Sequence, residues 1–224
     1  MLVAFSGVKF SGKDTAAEGL IRTHKFKRIG LADKLKNICS VVFEVDREDM
    51  DDPTLKEAKF RQQILLTNAH IKHLLEIVNE TFPFDIITKY ETLTELFNGT
   101  SISSIRELLQ FVGTDICRNH IKDDIWLAYI HDLVKNTDGN IVITDARFRN
   151  EREYLKDIGA VLILIKRPGL ETKSTHISEN DLGEESDYDV VVKNNSSITS
   201  LQSDISMWFT LVKDAATSYK SRIK

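Results

Sequence analysis

The sequence predicts an α/β protein, with a central parallel sheet of about five strands between helical layers and a helical insertion between the second and third strands of that sheet. Three stretches carry the prediction. Leu2 to Ser6 is a short apolar run that leads through glycines into a helical pattern. Ile141 to Asp145 and Val161 to Ile165 are apolar runs too short for helices and bounded by turn residues, as strands buried on both faces are. Between them lie amphipathic stretches with apolar residues three and four apart, the period of a helix with one buried face.

The first strand opens into Gly7-Val8-Lys9-Phe10-Ser11-Gly12-Lys13-Asp14-Thr15. This is the Walker A spacing. Gly7 and Gly12 permit positive-φ backbone, so the loop N–H groups can turn inward toward a phosphate. The helix that begins at Lys13 adds its dipole, and Lys13 adds a mobile positive charge. A glycine turn between strand and helix would explain the glycines but not the lysine. The usual pattern has Ser or Thr directly after the lysine, to hold magnesium; here Asp14 takes that place and the hydroxyl moves to Thr15. Asp14 reads either as a first-turn acid stabilised by the helix dipole or as a carboxylate near metal and phosphate.

A chain of 224 residues that is 42% hydrophobic is long enough for one good core, so a single domain over 1–224 is expected. Its two cysteines, Cys39 and Cys117, lie in apolar helical patterns, which suits a reduced compartment and no disulfide. No apolar run approaches a membrane span, and the first strand leaves no room for a leader, so a cytoplasmic protein is expected. The net charge of −4 argues against a general binder of polymeric nucleic acid. An anionic small substrate must then meet local cations. The candidates are Lys9, Lys13, Arg106, Arg118, Arg147, Arg149, Lys166, Arg167 and Lys173.

In chain order, Ala16, Ala17, Leu20 and Ile21 line the first helix, and Phe26 to Leu31 forms a weak strand. A second helix runs from about Ala32 to Phe43. The acidic stretch Glu44 to Asp52, closed by Pro53, is a loop whose spacing matches no calcium site. Leu55 to Glu80 has a helical period that Pro83 ends. Ser104-Ile105-Arg106-Glu107 is a capping box that starts another helix, with Gly113 a weak point within it. Residues 44–103 therefore read as an insertion, either acceptor-binding or purely structural. A further helix containing Trp126 and Ile130 precedes the Asp138-Gly139 turn.

Asp145 ends the apolar strand 141–145. Carboxyl ends of parallel strands face the ligand crevice, so Asp145 is expected beside the glycine loop, holding magnesium or orienting an acceptor. Arg147 and Arg149 follow, one placed for phosphate and the other for an acid. Asn150 is expected to cap the next helix, with Glu151 in its first turn as a dipole-stabilising acid or an active-site one. Residues 168–188 have the composition of a lid-like loop. Asp189 to Val192 is the last strand, and Ile198 to about Ser218 a closing helix.

Taken together, the glycine loop, Leu31-x-Asp-Lys-Leu-Lys36, Arg106 with Leu109-Gln-Phe-Val-Gly-Thr-Asp115, Asp145-Ala-Arg-Phe-Arg-Asn-Glu151 and Thr175-His-Ile-Ser-Glu179 resemble the deoxynucleoside monophosphate kinases of tailed bacteriophages, which are P-loop nucleotide kinases. The resemblance spans nearly the whole chain. It implies a P-loop NTPase-type three-layer sandwich, ATP and Mg2+ as cofactors, a deoxynucleoside monophosphate acceptor, a homodimer, and action in a host cytoplasm. It also implies catalytic roles for Lys13, Asp14, Arg106, Asp145, Arg147 and Glu151, with Arg106 on the acceptor phosphate. Donor binding would fall to Gly7, Lys9, Ser11, Gly12, Lys13, Asp14, Thr15, Arg167, His176 and Asn194, and metal binding to Asp14, Thr15 and Asp145. The 44–103 segment matches poorly, which leaves base selectivity open.

Two other readings remain. One is a kinase of another phosphorylated small molecule, such as dephospho-coenzyme A. The other is a non-catalytic nucleotide-dependent switch. The chain lacks an Asn-Lys-x-Asp guanine motif, and Ala146 stands where hydrolytic relatives often carry glutamate after the strand-end acid. Both absences favour transfer over hydrolysis.

Overall fold

The computed structural model describes residues 1–82, 87–170 and 181–213. In chain order the elements are β1 (Leu2–Ser6), α1 (Lys13–His24), β2 (Lys27–Ile29), α2 (Asp33–Phe43), α3 (Pro53–Glu57), β3 (Lys59–Leu65), α4 (Asn68–Thr81), α5 (Tyr90–Phe97), β4 (Ser101–Ser104) and α6 (Ile105–Gln110). A π-helical stretch Phe111–Ile121 follows, then α7 (Ile125–Asn136), β5 (Ile141–Ile143), α8 (Arg149–Asp157), β6 (Val161–Lys166), β7 (Val190–Lys193) and α9 (Ile198–Val212). They form two compact units. One joins Met1–Leu31 to the described residues from Ile130 onward; the other is Ala32–Tyr129.

The first unit is built on a five-stranded sheet in the order β2-β5-β1-β6-β7. Every pairing in it is parallel. Parallel pairing needs crossovers, and the interleaved helices supply them. Both faces are covered, so β1, β5 and the middle of β6 are buried throughout and read as unbroken apolar runs. Val3, Phe5, Val142, Ile163 and Ile165 pack with Ala16, Ala17 and Leu20 of α1 and with Leu201, Ile205 and Phe209 of α9. The pleat turns Ala4, Ile143 and Leu164 to the opposite face. There α8 packs on β6, and His131 of α7 hydrogen-bonds the Tyr154 hydroxyl of α8 at 2.8 Å.

The second unit has its own core. Ile38, Cys39 and Val42 of α2 cluster with Ile71, Leu74 and Val78 of α4 and with Leu108, Val112 and Ile116. It begins before residue 44 and ends after residue 103 because α2 and the stretch 104–129 bury their apolar faces in this same cluster. The segment is not wholly helical either. The expected helix from Leu55 breaks at Ala58, whose backbone is extended, and Lys59–Leu65 pairs antiparallel with Ser101–Ser104, opposing Ile64 to Ile102. Phe60 and Ile64 lie four apart, which suits a helix as well as a strand; a partner some forty residues away decides the matter.

Ser104 caps α6 as expected, its hydroxyl accepting from Glu107 N–H at 3.2 Å, but Glu107 reaches back to the N–H of Ser103 rather than of Ser104. Beyond Gln110 the backbone widens into the π-helical stretch, which contains Gly113. A Cβ at Gly113 would lie 2.5 Å from Leu35 Cδ2, and the Gly113 carbonyl accepts the Trp126 indole N–H at 3.1 Å. Pro83 lies outside the described residues, as do those of the expected closing helix past Lys213.

Candidate active site

Gly7 and Gly12 both adopt positive φ, at 147° and 103°. Space forbids a side chain at either position as well. A Cβ on Gly7 would sit 2.5 Å from the Ile165 carbonyl oxygen, and one on Gly12 would sit 2.5 Å from Asn194 Nδ2. The loop between them is tight, with Ser11 N–H donating to the Val8 carbonyl at 3.1 Å. Lys13 begins α1, is largely buried, and donates through Nζ to the carbonyls of Gly7 and Val8, each at 2.8 Å. Its ammonium is thus anchored within the loop, where an anion would find it already in position.

The Ser11 hydroxyl is fully buried and finds no hydrogen-bond partner among the described residues. A buried orphan hydroxyl beside a buried ammonium is a place where a polar ligand could supply the missing partner. Phe10, at the loop apex, is 59% exposed and held at φ 64°, with Lys9 Nζ 4.6 Å from its ring centroid. Asp14 is exposed in the first turn of α1, and the Thr15 carbonyl accepts from Gln202 Nε2 at 3.2 Å.

The β1–β5 register aligns Ala4 with Ile143, so the next two residues bring Ser6 level with Asp145. The Ser6 hydroxyl donates to the Ala146 carbonyl at 2.5 Å and ties the strand ends together. Asp145 is half-buried, and its Oδ1 accepts the Leu31 N–H at 2.8 Å, just past β2. Asp145 therefore lies at the carboxyl edge of the sheet, on the strand next to the one that carries the loop.

Glu151 is buried, and its Oε2 accepts the N–H groups of Arg147 at 2.8 Å and Phe148 at 3.0 Å. It therefore caps the start of α8 and shapes the turn that carries Arg147. Asn150 does not cap this helix. The helix already begins at Arg149, so Asn150 falls inside its first turn, where a carboxylate from N3 reaches the orphan N–H groups more directly. Arg167 follows β6 and is exposed, and Asn194 follows β7. The glycine loop with Lys9, Ser11, Lys13, Asp14 and Thr15, and the residues Asp145, Arg147, Glu151, Arg167 and Asn194, all belong to the first unit, at or just beyond strand ends on its carboxyl edge.

Arg106 belongs to the second unit, near the start of α6, where its guanidinium pairs with the Glu57 carboxylate at the end of α3. His176 and Lys173 lie outside the described residues, as does most of the middle of the 168–188 segment. No group of three or more His, Cys, Asp and Glu side chains among the described residues could hold a metal ion by itself. Asp14 and Asp145 carry carboxylates and Thr15 a hydroxyl, the hard oxygen donors that magnesium takes.

The model of the family described as deoxynucleotide monophosphate kinase matches residues 62–205, more than half of the chain. This chain belongs to the deoxynucleotide monophosphate kinase family. The match takes in Arg106, Asp145, Arg147, Glu151, Arg167, His176 and Asn194, and it starts beyond the glycine loop. Similarity to individual members of the family covers more of the chain. The chain is 27% identical to the deoxynucleotide monophosphate kinase of Enterobacteria phage T4 over 234 residues, which covers 91% of this chain and 96% of that one. It is 25% identical to the deoxynucleoside-5'-monophosphate kinase of Escherichia phage T5, over 81% of this chain and 85% of that one. A protein of Acanthamoeba polyphaga mimivirus, provisionally named for the same activity, is 31% identical over 92% of this chain and 94% of its own length. Among solved structures, an unliganded sugar kinase from Janibacter sp. HTCC2649 covers 96% of this chain at 13% identity and a TM-score of 0.38, a likeness too slight to add to the fold.

Two residues of the first unit escaped the sequence reading of this family member. Arg152 is buried in α8 and donates through one guanidinium nitrogen to the carbonyls of Arg147 at 2.6 Å and Asp181 at 2.5 Å. The Asp181 carboxylate in turn accepts the Arg149 N–H at 2.8 Å. The far end of the 168–188 segment is thereby fastened to the turn that carries Arg147. Gln202 of α9 bridges the Thr15 carbonyl and the Arg22 guanidinium. An arginine and a glutamine in amphipathic helices carry no local signal of burial, although the Arg147/Glu151/Arg152 cluster of charge just past a strand end points toward one.

Proposed function

We propose that the chain transfers the γ-phosphoryl group of ATP to a deoxynucleoside monophosphate, giving the diphosphate, with Mg2+ required. The observation that carries the reading is the glycine loop at the end of β1, with the Lys13 ammonium inside it and Asp145 on the neighbouring strand end. Backbone N–H groups and Lys13 bind the donor phosphates. Arg147, on a turn shaped by Glu151, offers a guanidinium to equatorial oxygens as charge develops. Asp145, held at the strand end by the Leu31 N–H, brings a carboxylate to orient the acceptor or to share the metal. Bound magnesium supplies charge neutralisation between the phosphates. Arg106, on the second unit, is the acceptor-phosphate ligand in this reading. Its fork geometry suits a terminal phosphate, and Glu57 holds it against free rotation.

This chemistry asks for positioning and charge rather than a nucleophile and base. In this reading the 168–188 segment, lid-like in composition, covers the donor, and the active species is a homodimer, as the resemblance implies. The site of action is the host cytoplasm; among the described residues no helix is long and apolar enough to cross a membrane. The test is ADP formation from ATP with each of the four deoxynucleoside monophosphates, their ribose counterparts and dephospho-coenzyme A, with Lys13→Met as control. Turnover with at least one deoxynucleoside monophosphate, abolished in Lys13→Met, is expected. Turnover only with dephospho-coenzyme A, or ATP binding with no transfer to any acceptor, would replace this reading with one of the two alternatives.

A further inference from the structure

Asn194 follows the last strand of the sheet and makes two hydrogen bonds that lock it in place. Its backbone N–H donates to the Lys166 carbonyl at 2.7 Å, which extends the β6–β7 pairing by one residue. Its side-chain Nδ2 donates to the Ser11 carbonyl at 2.8 Å. That carbonyl belongs to the peptide between Ser11 and Gly12. In a trans peptide the C=O and N–H point in opposite directions, so a donor that holds the Ser11 oxygen outward holds the Gly12 N–H inward. The same amide presses on Gly12, where a Cβ would meet Asn194 Nδ2 at 2.5 Å and Leu201 Cδ2 at 3.1 Å.

We propose that Asn194 is a positioning residue that fixes the orientation of the Ser11–Gly12 peptide, so that the Gly12 N–H faces the donor phosphates, without itself touching the nucleotide. The inference rests on the donor-loop reading above. It replaces direct donor contact, the role the resemblance implies for Asn194, with an indirect one. The physical need is plain. Gly12 sits at φ 103°, where glycine moves easily, and a peptide flanked by glycine flips at little cost unless something outside the loop holds its oxygen. The buried Ser11 hydroxyl has no hydrogen-bond partner among the described residues, so this side chain offers the peptide no such restraint.

The test uses the full chain and reads affinity for ADP and for inorganic pyrophosphate by calorimetry, in native protein, Asn194→Ala and Asn194→Ser. A lost neutral hydrogen bond is worth about threefold to tenfold in affinity, and both ligands should lose affinity by that same factor. The KM for the acceptor should stay unchanged. In 15N-glycine-labelled protein, with only ten glycines, the Gly12 amide resonance should shift strongly on adding pyrophosphate to native protein and weakly in the variants. Should Asn194→Ala not fold, Asn194→Ser is read alone, because its hydroxyl is too short to reach the Ser11 oxygen. Loss for ADP with unchanged pyrophosphate binding would mean that Asn194 contacts the nucleoside, and would overturn the proposal. So would unchanged affinity for both. Neither the calorimetry nor the resonance shift depends on transfer, so a native chain that binds pyrophosphate but phosphorylates no deoxynucleotide would defeat the functional reading while leaving this one standing.

Discussion

The contact between Gly12 and Asn194 makes a quantitative prediction about stability. Gly12→Ala places a methyl group at φ 103°, a conformation that costs an L-residue about 1–2 kcal/mol. It also drives that methyl to 2.5 Å from Asn194 Nδ2 and 3.1 Å from Leu201 Cδ2, an overpacking that costs about 1–3 kcal/mol more. The variant should therefore lose about 2–5 kcal/mol. For a chain of this size that corresponds to a fall in Tm of about 5–15 °C. The two contributions separate in a double-mutant cycle. Asn194→Ala removes the obstructing amide but neither the backbone strain nor the Leu201 contact, so Gly12→Ala/Asn194→Ala should be more stable than the sum of the single effects by part of the overpacking cost, about 1–2 kcal/mol. Urea unfolding of the four proteins, followed by far-ultraviolet circular dichroism, measures the coupling. Strict additivity would show that the methyl group does not meet Asn194, and that the two do not press on one another as described.

Three further outcomes follow from other parts of the molecule. Asp145→Asn keeps an oxygen for the Leu31 N–H and removes the charge, so turnover should fall by at least tenfold while the KM for ATP changes little; unchanged turnover at saturating Mg2+ would reduce Asp145 to a strand tie. Arg106→Lys cannot copy a two-pronged grip, and should raise the acceptor KM about tenfold to a hundredfold with donor KM unmoved; equal change in both, measured by steady-state kinetics, would remove Arg106 from the acceptor phosphate. Burial pushes the Cys117 thiol up to about 12, against a smaller opposing effect of the Arg118 charge, and burial with neighbouring Cys117 raises Cys39 well above its ordinary value. Both thiols should resist a disulfide reagent at pH 8 and react fully in urea. The buried thiol stays neutral where the unfolded one ionises, so stability falls as pH rises from the ordinary thiol value toward 12; the fall should be smaller in Cys117→Ser, and an identical fall in both proteins, measured by urea unfolding from about pH 7 to 10, would refute the burial effect.

Much of the first unit was readable because its signals are local. A strand buried on both faces must be apolar throughout, and a tight phosphate loop needs glycine where φ is positive, so β1, β5, β6, Gly7, Gly12 and Lys13 stand out without a structure. The position of Asp145 followed from one rule about carboxyl ends of parallel strands. The sequence by itself also determined that Cys39 and Cys117 lie in apolar helix faces and that Ser104 starts a helix.

Other features depended on partners distant in the chain. Lys59–Leu65 is a strand because Ser101–Ser104 pairs with it; alone, its spacing suits a helix. The second unit runs from Ala32 to Tyr129 because α2 and the stretch beyond residue 103 share one core, which no composition change marks. Whether Glu151 acts on a substrate or on its own helix was open in the sequence, and its hydrogen bonds to the N–H groups of Arg147 and Phe148 show that it at least builds the turn. Asn194 is the clearest case. Nothing around an Asn-Asn turn reveals that one amide lies against a carbonyl 183 residues away, because only the parallel sheet order, with β7 two strands from β1, brings that turn to the back of the loop. Periodicity and backbone preference are written residue by residue, whereas register, crossovers and long-range hydrogen bonds are settled by which surfaces meet when the chain closes on itself.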